Sequence, residues 1–263
     1  MLRRWCILFA MLALTAGTAL AASSASAATS GSGGYNPGGP IHLVGASPAA
    51  HGGLSNEAES TNWSGYAGTT GTYTSVSASW TQPAGTCSRG DQYAAFWVGI
   101  DGYSSSTVEQ TGSEVDCVGR TAEYYAWYEM YPGPSENYNN TVRAGDHFTA
   151  TVTWLSGKQF SLYIADTTQG WSHTTDASLT STPARSSAEV IVEAPCCTGS
   201  GGILPLTDFG TMSFSGSTAN GSAIGNAGGL TEIIMIDNEG RDKDTISALS
   251  GGESFSATWL RSS

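Results

Sequence analysis

The sequence has few charged side chains and particularly few basic ones. Charged residues make up 12% of the 263 positions, with 10 Lys and Arg against 22 Asp and Glu, and Lys158 and Lys243 are the only lysines. Proteins that bind nucleic acid neutralise its phosphates with a basic surface, which a chain of formal net charge −12 does not supply. An anionic membrane surface is disfavoured for the same reason. We therefore expect neither nucleic acid nor membrane as a partner.

Long apolar runs are also scarce, and the only one lies at the N-terminus. It extends from Cys6 to Leu20, follows Arg3 and Arg4, and precedes small-residue cleavage sites at residues 19–21 and 25–27. This order is typical of a secretory signal peptide, and the run is too short for a confident membrane span. We predict a signal peptide over residues 1–27 and a secreted, extracellular protein.

Cysteine is sparse as well, and its spacing argues against a metal centre. Without the signal peptide four cysteines remain, an even number that suggests disulfides in an exported chain: Cys87, Cys117, Cys196 and Cys197. Neighbouring cysteines very rarely bond to each other, so a Cys87–Cys117 bridge is expected and the partners of the other two stay open. No Cys-x-x-Cys or His-x-x-x-His spacing occurs, so no metal and no cofactor are expected.

The chain divides into three segments by composition. Residues 28–58 are rich in Gly, Ser, Ala and Pro without sustained periodicity, which indicates a linker or short pro-segment after the signal peptide. Ordered sequence is expected from about Thr61, and residues 59–263 form one predicted domain. Eight Trp, eleven Tyr and seven Phe give this domain ample apolar surface for a core.

Alternation of apolar and polar residues, the period of a β-strand, dominates this domain. It recurs in segments that are separated by Gly, Asn, Ser and Pro clusters: Val76–Trp80, Phe148–Trp154, Phe160–Ile164, Val190–Val192, Ile233–Met235 and Phe255–Trp259. No stretch shows a convincing helical period. Many antiparallel strands in one long chain predict an all-β sandwich or barrel.

In three of these strands the alternation collects polar groups on one face. One face of residues 123–131 carries Tyr125, Trp127, Glu129 and Tyr131. In residues 187–194, Glu189, Ile191 and Glu193 point away from Val190 and Val192, and in residues 107–112 Gln110 shares a face with Val108. Aromatic rings that surround carboxylates and an amide are typical of a substrate groove.

The common hydrolase motifs are missing. There is no Gly-x-Ser-x-Gly for a serine nucleophile, no pair of Asp-Thr/Ser-Gly loops for a pepsin-like site and no His-Glu-x-x-His for zinc. Carboxylate or amide chemistry remains. Glu129 and Glu193 could be the acid pair of a glycoside hydrolase, or one carboxylate could activate water while an amide holds the oxyanion in a peptidase. A non-catalytic carbohydrate-binding module is the third alternative.

Four segments in a fixed order resemble a known family. They are Asn62-Trp63-Ser64-Gly65, the string Phe96–Gly102 followed by Val108–Gly112, the aromatic-Glu-aromatic string Ala126–Pro132, and Ala188–Glu193. Together they resemble the glutamic peptidases (eqolisins), over roughly the last 200 residues.

This resemblance implies a sandwich of two bent antiparallel sheets with a concave cleft. It implies a catalytic pair that by motif is Gln110 and Glu193, with Trp97, Asp101, Trp127, Glu129 and Tyr131 lining or supporting the cleft. The expected activity is a pepstatin-insensitive endopeptidase of acidic pH optimum that acts on proteins or peptides, without a cofactor and as a monomer.

Overall fold

A computed structural model describes residues 39–44, 56–88, 90–196 and 202–263. These residues belong to one compact unit, residues 34–263. They contain strands, turns and a single 3-10 turn at Ile224–Asn226, and within them no helix is long and apolar enough to cross a membrane. The predicted signal peptide, residues 1–27, lies outside the described ranges, so that prediction stays a prediction.

Strands account for nearly all regular structure, as the period-two pattern predicted. Their bounds are β1 Leu43–Val44, β2 Glu57–Ser60, β3 Trp63–Gly68, β4 Ser75–Thr81, β5 Gln92–Ile100, β6 Val108–Val118, β7 Thr121–Tyr131, β8 Glu136–Asn137, β9 His147–Ser156, β10 Gln159–Asp166, β11 Trp171–Ser178, β12 Ala188–Glu193, β13 Thr211–Ala219, β14 Ser222–Ala223, β15 Thr231–Met235, β16 Asp244–Ile246 and β17 Phe255–Trp259.

The strands form two sheets that pack face to face. The larger sheet has nine strands in the order β1-β2-β15-β3-β12-β5-β6-β7-β8, antiparallel except for the parallel pair β2 and β15. The smaller sheet has the order β11-β10-β9-β4-β13-β17-β16, with β14 attached to β13. This arrangement confirms the predicted antiparallel sandwich and excludes the barrel.

The main core lies between the sheets and comes from the apolar positions of the alternating strands. Trp80 stacks on Phe148 with ring centroids 5.7 Å apart, and Phe214 meets Trp80 edge-on at 5.6 Å. All three side chains are buried. Each large side chain that is fully buried contributes roughly 1.5–3 kcal/mol. Burial of these side chains therefore holds the two sheets together and determines which face of each strand points outward.

The outer face of the smaller sheet is lined by hydroxyl groups. Cross-strand pairs are hydrogen bonded there, between Ser77 and Thr218 at 2.7 Å and between Ser79 and Thr149 at 2.9 Å. The same face continues through further serines and threonines of β4, β9 and β13, namely Ser75, Thr151, Thr153, Ser213 and Ser215. Along each of these strands the hydroxyl residues alternate with the apolar residues that fill the core, so the two sets point to opposite faces of the sheet.

A second, smaller hydrophobic cluster lies on the outward face of the nine-stranded sheet. We call it the cleft cluster, and its buried members are Trp63, Ala67, Ala95, Trp97, Val108, Trp127, Ile191 and Ile233. Trp63 and Trp97 meet edge-on with centroids 4.8 Å apart. Gly112 lies between Trp97 and Trp127 in the sheet, and a Cβ there would lie 2.5 Å from the Trp97 Cβ. Glycine is thus required at this position for the two indoles to share the face.

The cysteine prediction is confirmed in its main part. Cys87 and Cys117 form a disulfide that joins the loop before β5 to the end of β6. Cys196 follows β12, and its main chain forms an isolated β-bridge with Ile203. Cys197 lies outside the described residues.

Regular structure also begins earlier than Thr61. Within the predicted linker or pro-segment, Leu43 and Val44 form β1, which pairs with β2, and β2 begins at Glu57. A strand of two residues is too short for its periodicity to be visible in the sequence.

Candidate active site

Gln110 and Glu129 are direct neighbours on adjacent strands. The antiparallel register of β6 and β7 places them opposite each other, and both side chains are completely buried. The Gln110 Nε2 group donates a hydrogen bond to Glu129 Oε2 at 2.7 Å. A primary amide carries two N–H donors, so this bond leaves one of them available. Glu129 therefore orients the Gln110 amide.

Glu193 lies at the end of β12, three strands from Glu129 in the sheet. Its register partners are Ala95 on β5 and Trp63 on β3. The Trp97 indole N–H donates to Glu193 Oε2 at 2.8 Å. Ala95 is paired with Glu193 on one side and with Glu114 of β6 on the other, so a small side chain lies between these two carboxyl groups.

The site carboxyl groups lie away from solvent, and this changes their acidity. Burial raises the pKa of Glu193 well above its ordinary value, and the nearby charge of Glu129 raises it further. The Trp97 N–H, which donates to Glu193 Oε2, acts in the opposite direction, as do the nearby polar groups of Trp63 and Asn62. Burial likewise raises the pKa of Glu129, opposed by its bond from Gln110. A proton is therefore held more tightly here than on an exposed glutamate.

Three oxygen atoms of this group have no hydrogen-bond partner among the described residues. They are Gln110 Oε1, Glu129 Oε1 and Glu193 Oε1, all buried. A buried acceptor without a donor costs free energy, and such atoms in native proteins are normally satisfied by water or a ligand. The site is therefore suited to hold a small donor such as a water molecule.

Two further carboxyl groups on this face were missed by the sequence reasoning. Glu114 and Asp116 lie four and six residues after Gln110 on the same face of β6, and both are buried. The two groups are hydrogen bonded to each other, and burial raises the pKa of both. The alternation that assigned Gln110 to the groove, continued past Gly112, would have identified them.

The aromatic residues predicted for the cleft lie on the outward face of the nine-stranded sheet. Trp97 and Trp127 are buried in the cleft cluster, and Tyr131 is half-buried and packs against it. The indole Nε1 of Trp127 has no hydrogen-bond partner in the described ranges, in contrast to that of Trp97. These rings form an apolar floor beside the carboxyl groups.

Asp101 lies in a turn after β5 rather than on the floor. It has a positive φ of 70°, and its carboxylate accepts the main-chain N–H groups of Arg185 at 2.7 Å and Ser186 at 2.9 Å. These bonds fasten two loops together. A direct contact with substrate stays a prediction for this residue.

The acidic residues do not form a recognisable metal centre. No group of three or more His, Cys, Asp or Glu side chains has the geometry to hold an ion anywhere in the described part of the chain.

Known proteins resemble this chain over most of its length. Residues 61–259 match the peptidase A4 family. Aspergillopepsin-2 of Aspergillus niger is 28% identical over 233 residues, which is 79% of this chain and 80% of the relative. Scytalido-glutamic peptidase, solved with a transition state analog inhibitor, superposes with a TM-score of 0.67 at 25% identity and covers 76% of this chain and 98% of that chain. Aspergilloglutamic peptidase from A. niger has a TM-score of 0.56 at 27% identity and covers 64% and 99%.

Proposed function

Because the chain belongs to the peptidase A4 family, the glutamic peptidases, and is a hydrolase of peptide bonds, we propose that Gln110 and Glu193 are its catalytic pair. The observation that carries the proposal is the set of buried oxygen atoms of Gln110, Glu129 and Glu193 that lack a donor. Glycoside hydrolysis and simple sugar binding, the alternatives raised by the carboxylates and aromatics, have no support in the family match.

The unpartnered atoms suit one attacking water. In the proposed pair, one water molecule would donate to Glu193 Oε1 and Gln110 Oε1, two of the three buried acceptors. The register places Gln110 level with Gly99 and Glu189, four residues along the strands from the level of Glu193, so the pairing rests on the family motif and on reach of the side chains across β5. Its own oxygen would then point away from the sheet, toward a peptide that lies in the cleft. A fixed water of this kind converts hydrolysis into a reaction between groups already in position.

The chemistry follows from the two side chains. Ionised Glu193 takes a proton from the water as the water oxygen bonds to the scissile carbonyl carbon. The second N–H of Gln110, the one not used by Glu129, donates to the developing oxyanion, and one such donor contributes about 3 kcal/mol. The C–N bond then breaks as protonated Glu193 gives its proton to the leaving amine, which restores the carboxylate.

We propose an acidic pH optimum because the chain is a glutamic peptidase; the pair itself accounts for the acid limb of activity. Glutamine is a neutral donor at any pH, whereas a second carboxyl group would have to be protonated to donate. The reference pKa of a glutamate is about 4.3, which suits a base in mild acid. Burial raises the value for Glu193, so we expect the acid limb of activity at a higher pH than an exposed glutamate would give.

Hydrolysis of denatured casein from pH 2 to pH 8 with pepstatin present tests the proposal. The wild type should cleave in acid, Glu193→Gln should lose at least about a thousandfold, and Gln110→Ala about a hundredfold, the effect of one oxyanion donor. Glu253→Gln, a matched change at an exposed glutamate, should retain wild-type activity. Full activity in Glu193→Gln, in protein with unchanged circular dichroism, would refute the assignment.

We further propose that the protein is exported and acts as a monomer on protein or peptide substrates. The support for export is the N-terminal sequence, with two arginines before an apolar run and small-residue cleavage sites. Mass spectrometry of the protein from culture medium would identify the mature N-terminus. Detection of the intact chain only in the cell pellet would contradict export.

A further inference from the structure

Residues 39–42, which we name the strap, lie against the cleft face. The Ile41 side chain packs against the cleft cluster. A Cβ built on Gly39 would lie 3.9 Å from Tyr131 Cε2, so the strap also runs past the end of β7. The predicted catalytic side chains Gln110 and Glu193 are completely buried with the strap in this position.

The strap is held through its main chain. The Ile41 N–H donates to the Gly102 carbonyl at 3.1 Å, and the His42 N–H donates to Asn62 Oδ1 at 2.7 Å. Asn62 Nδ2 in turn donates to the Pro40 carbonyl at 3.4 Å. The Asn62 carboxamide therefore bonds to the peptide groups on both sides of Ile41, whatever side chain stands there.

The position of Asn62 brings this contact close to Glu193. Asn62 directly precedes Trp63, the register partner of Glu193. The Asn62 carbonyl accepts the Ala194 N–H at 2.8 Å, and the nearby Asn62 carboxamide lowers the pKa of Glu193. A peptide that is bonded to Asn62 therefore lies next to the proposed general base.

We propose that the Asn62 carboxamide and the Gly102 carbonyl form the main-chain clamp for an extended peptide substrate, whose aliphatic side chain is received where Ile41 packs, and that the strap fills this clamp as an intramolecular competitor. The inference rests on the proposed peptidase function. Main-chain hydrogen bonds hold an extended peptide and a pocket selects its side chain. A tethered segment has an effective concentration in the millimolar range, so modest contacts suffice to exclude substrate.

A pair of variants in the full chain provides the first test. Ile41→Asp places a polar carboxyl group in the apolar cleft cluster and should dislodge the strap, whereas Leu43→Asp makes the same change at a neighbouring side chain that is 49% exposed. With a short quenched fluorescent peptide at pH 4, the initial rate should rise at least tenfold for Ile41→Asp and change less than twofold for Leu43→Asp. Intact mass measurement must show that each chain is uncut. Equal rates for wild type and Ile41→Asp would overturn the proposal.

A second test adds the strap back as a separate molecule. A specific protease site introduced within residues 45–55 allows the folded chain to be cut, and a synthetic peptide with the sequence of residues 36–46 should then inhibit it. The same peptide with Ile41→Asp, or N-methylated at the His42 amide, should inhibit at least tenfold more weakly. N-methylation removes only the donor to Asn62, so equal inhibition by the N-methylated peptide would refute the clamp.

The two proposals can fail separately. Binding of the peptide can be measured by tryptophan fluorescence in cut Glu193→Gln protein, because this measurement does not require the protein to be active. Cut chain that binds the peptide selectively but hydrolyses nothing would retain the clamp and refute the peptidase mechanism. Cut chain that hydrolyses substrate at the uncut rate and ignores the peptide would retain the mechanism and refute the clamp.

Discussion

Replacing Trp97 by Phe isolates one interaction of the proposed general base. The change removes the indole N–H that donates to Glu193 Oε2 at 2.8 Å and keeps an aromatic ring at a completely buried position. A hydrogen bond to a charged group contributes about 1.5–3 kcal/mol, and one pKa unit corresponds to about 1.4 kcal/mol. Loss of the bond should therefore raise the pKa of Glu193 by about one to two units.

This shift has a defined kinetic signature. If Glu193 must be ionised to activate water, the acid limb of kcat/KM for a short peptide moves to higher pH by about one to two units in Trp97→Phe. The rate on the plateau should change less than the rate on the acid limb, because the carboxylate is fully formed there in both proteins.

Trp127→Phe is the matched control. Trp127 belongs to the same cleft cluster and is equally buried, but its Nε1 has no hydrogen-bond partner among the described residues. Its removal should leave the acid limb within about 0.3 units of wild type, since no donor to Glu193 is lost. An unshifted limb in Trp97→Phe, or the same shift in both variants, would refute Trp97 as the group that tunes Glu193.

Three further predictions concern stability and access. Burial raises the pKa of Glu193 and that of Glu109, the latter to about 9; the folded state then holds these protons more tightly than the unfolded chain. The resulting stability is present below about pH 4 and is lost as the pH rises toward 9, so urea unfolding should give a free energy of unfolding at least about 2 kcal/mol lower at pH 8 than at pH 4. Equal values would contradict it. Replacing Cys87 and Cys117 by Ser opens a loop with a sequence separation of 30 and should lower the same quantity by about 3 kcal/mol, and no loss would show that the bridge is not stabilising. Ala95→Leu should place a larger side chain beside Glu193 and reduce kcat/KM at least about a hundredfold, and overpacking should lower the free energy of unfolding by about 1–3 kcal/mol. Unimpaired turnover would show that the reaction takes place elsewhere.

The alternation of side chains was enough to predict one face of the site. Val190 and Val192 lie in the main core, so Glu193 is on the opposite face, as the period of two requires. Gln110 was assigned in the same way. Polar residues that alternate with core residues can be assigned to the opposite face of the sheet, because this assignment depends only on the geometry of their own strand.

The pairing of residues on different strands could not be read in this way. The bond between Gln110 and Glu129 depends on the register of β6 and β7, and the bond from Trp97 to Glu193 depends on that of β5 and β12. Register follows from the whole sheet rather than from either strand alone. The strap was invisible for a similar reason, because its bonds to Asn62 and Gly102 join distant parts of the chain through main-chain atoms.

The hydroxyl face of the smaller sheet has a consequence for behaviour in acid. Hydroxyl groups of Ser and Thr neither gain nor lose protons between strongly acidic and neutral pH. As the carboxylates of the protein are neutralised near its sequence pI of about 4.5, electrostatic repulsion between molecules weakens and association is favoured. Groups such as Ser77, Ser79 and Thr149 continue to bind water through this range. A broad surface whose hydration does not depend on charge would keep the protein dispersed under the conditions where the proposed reaction runs fastest.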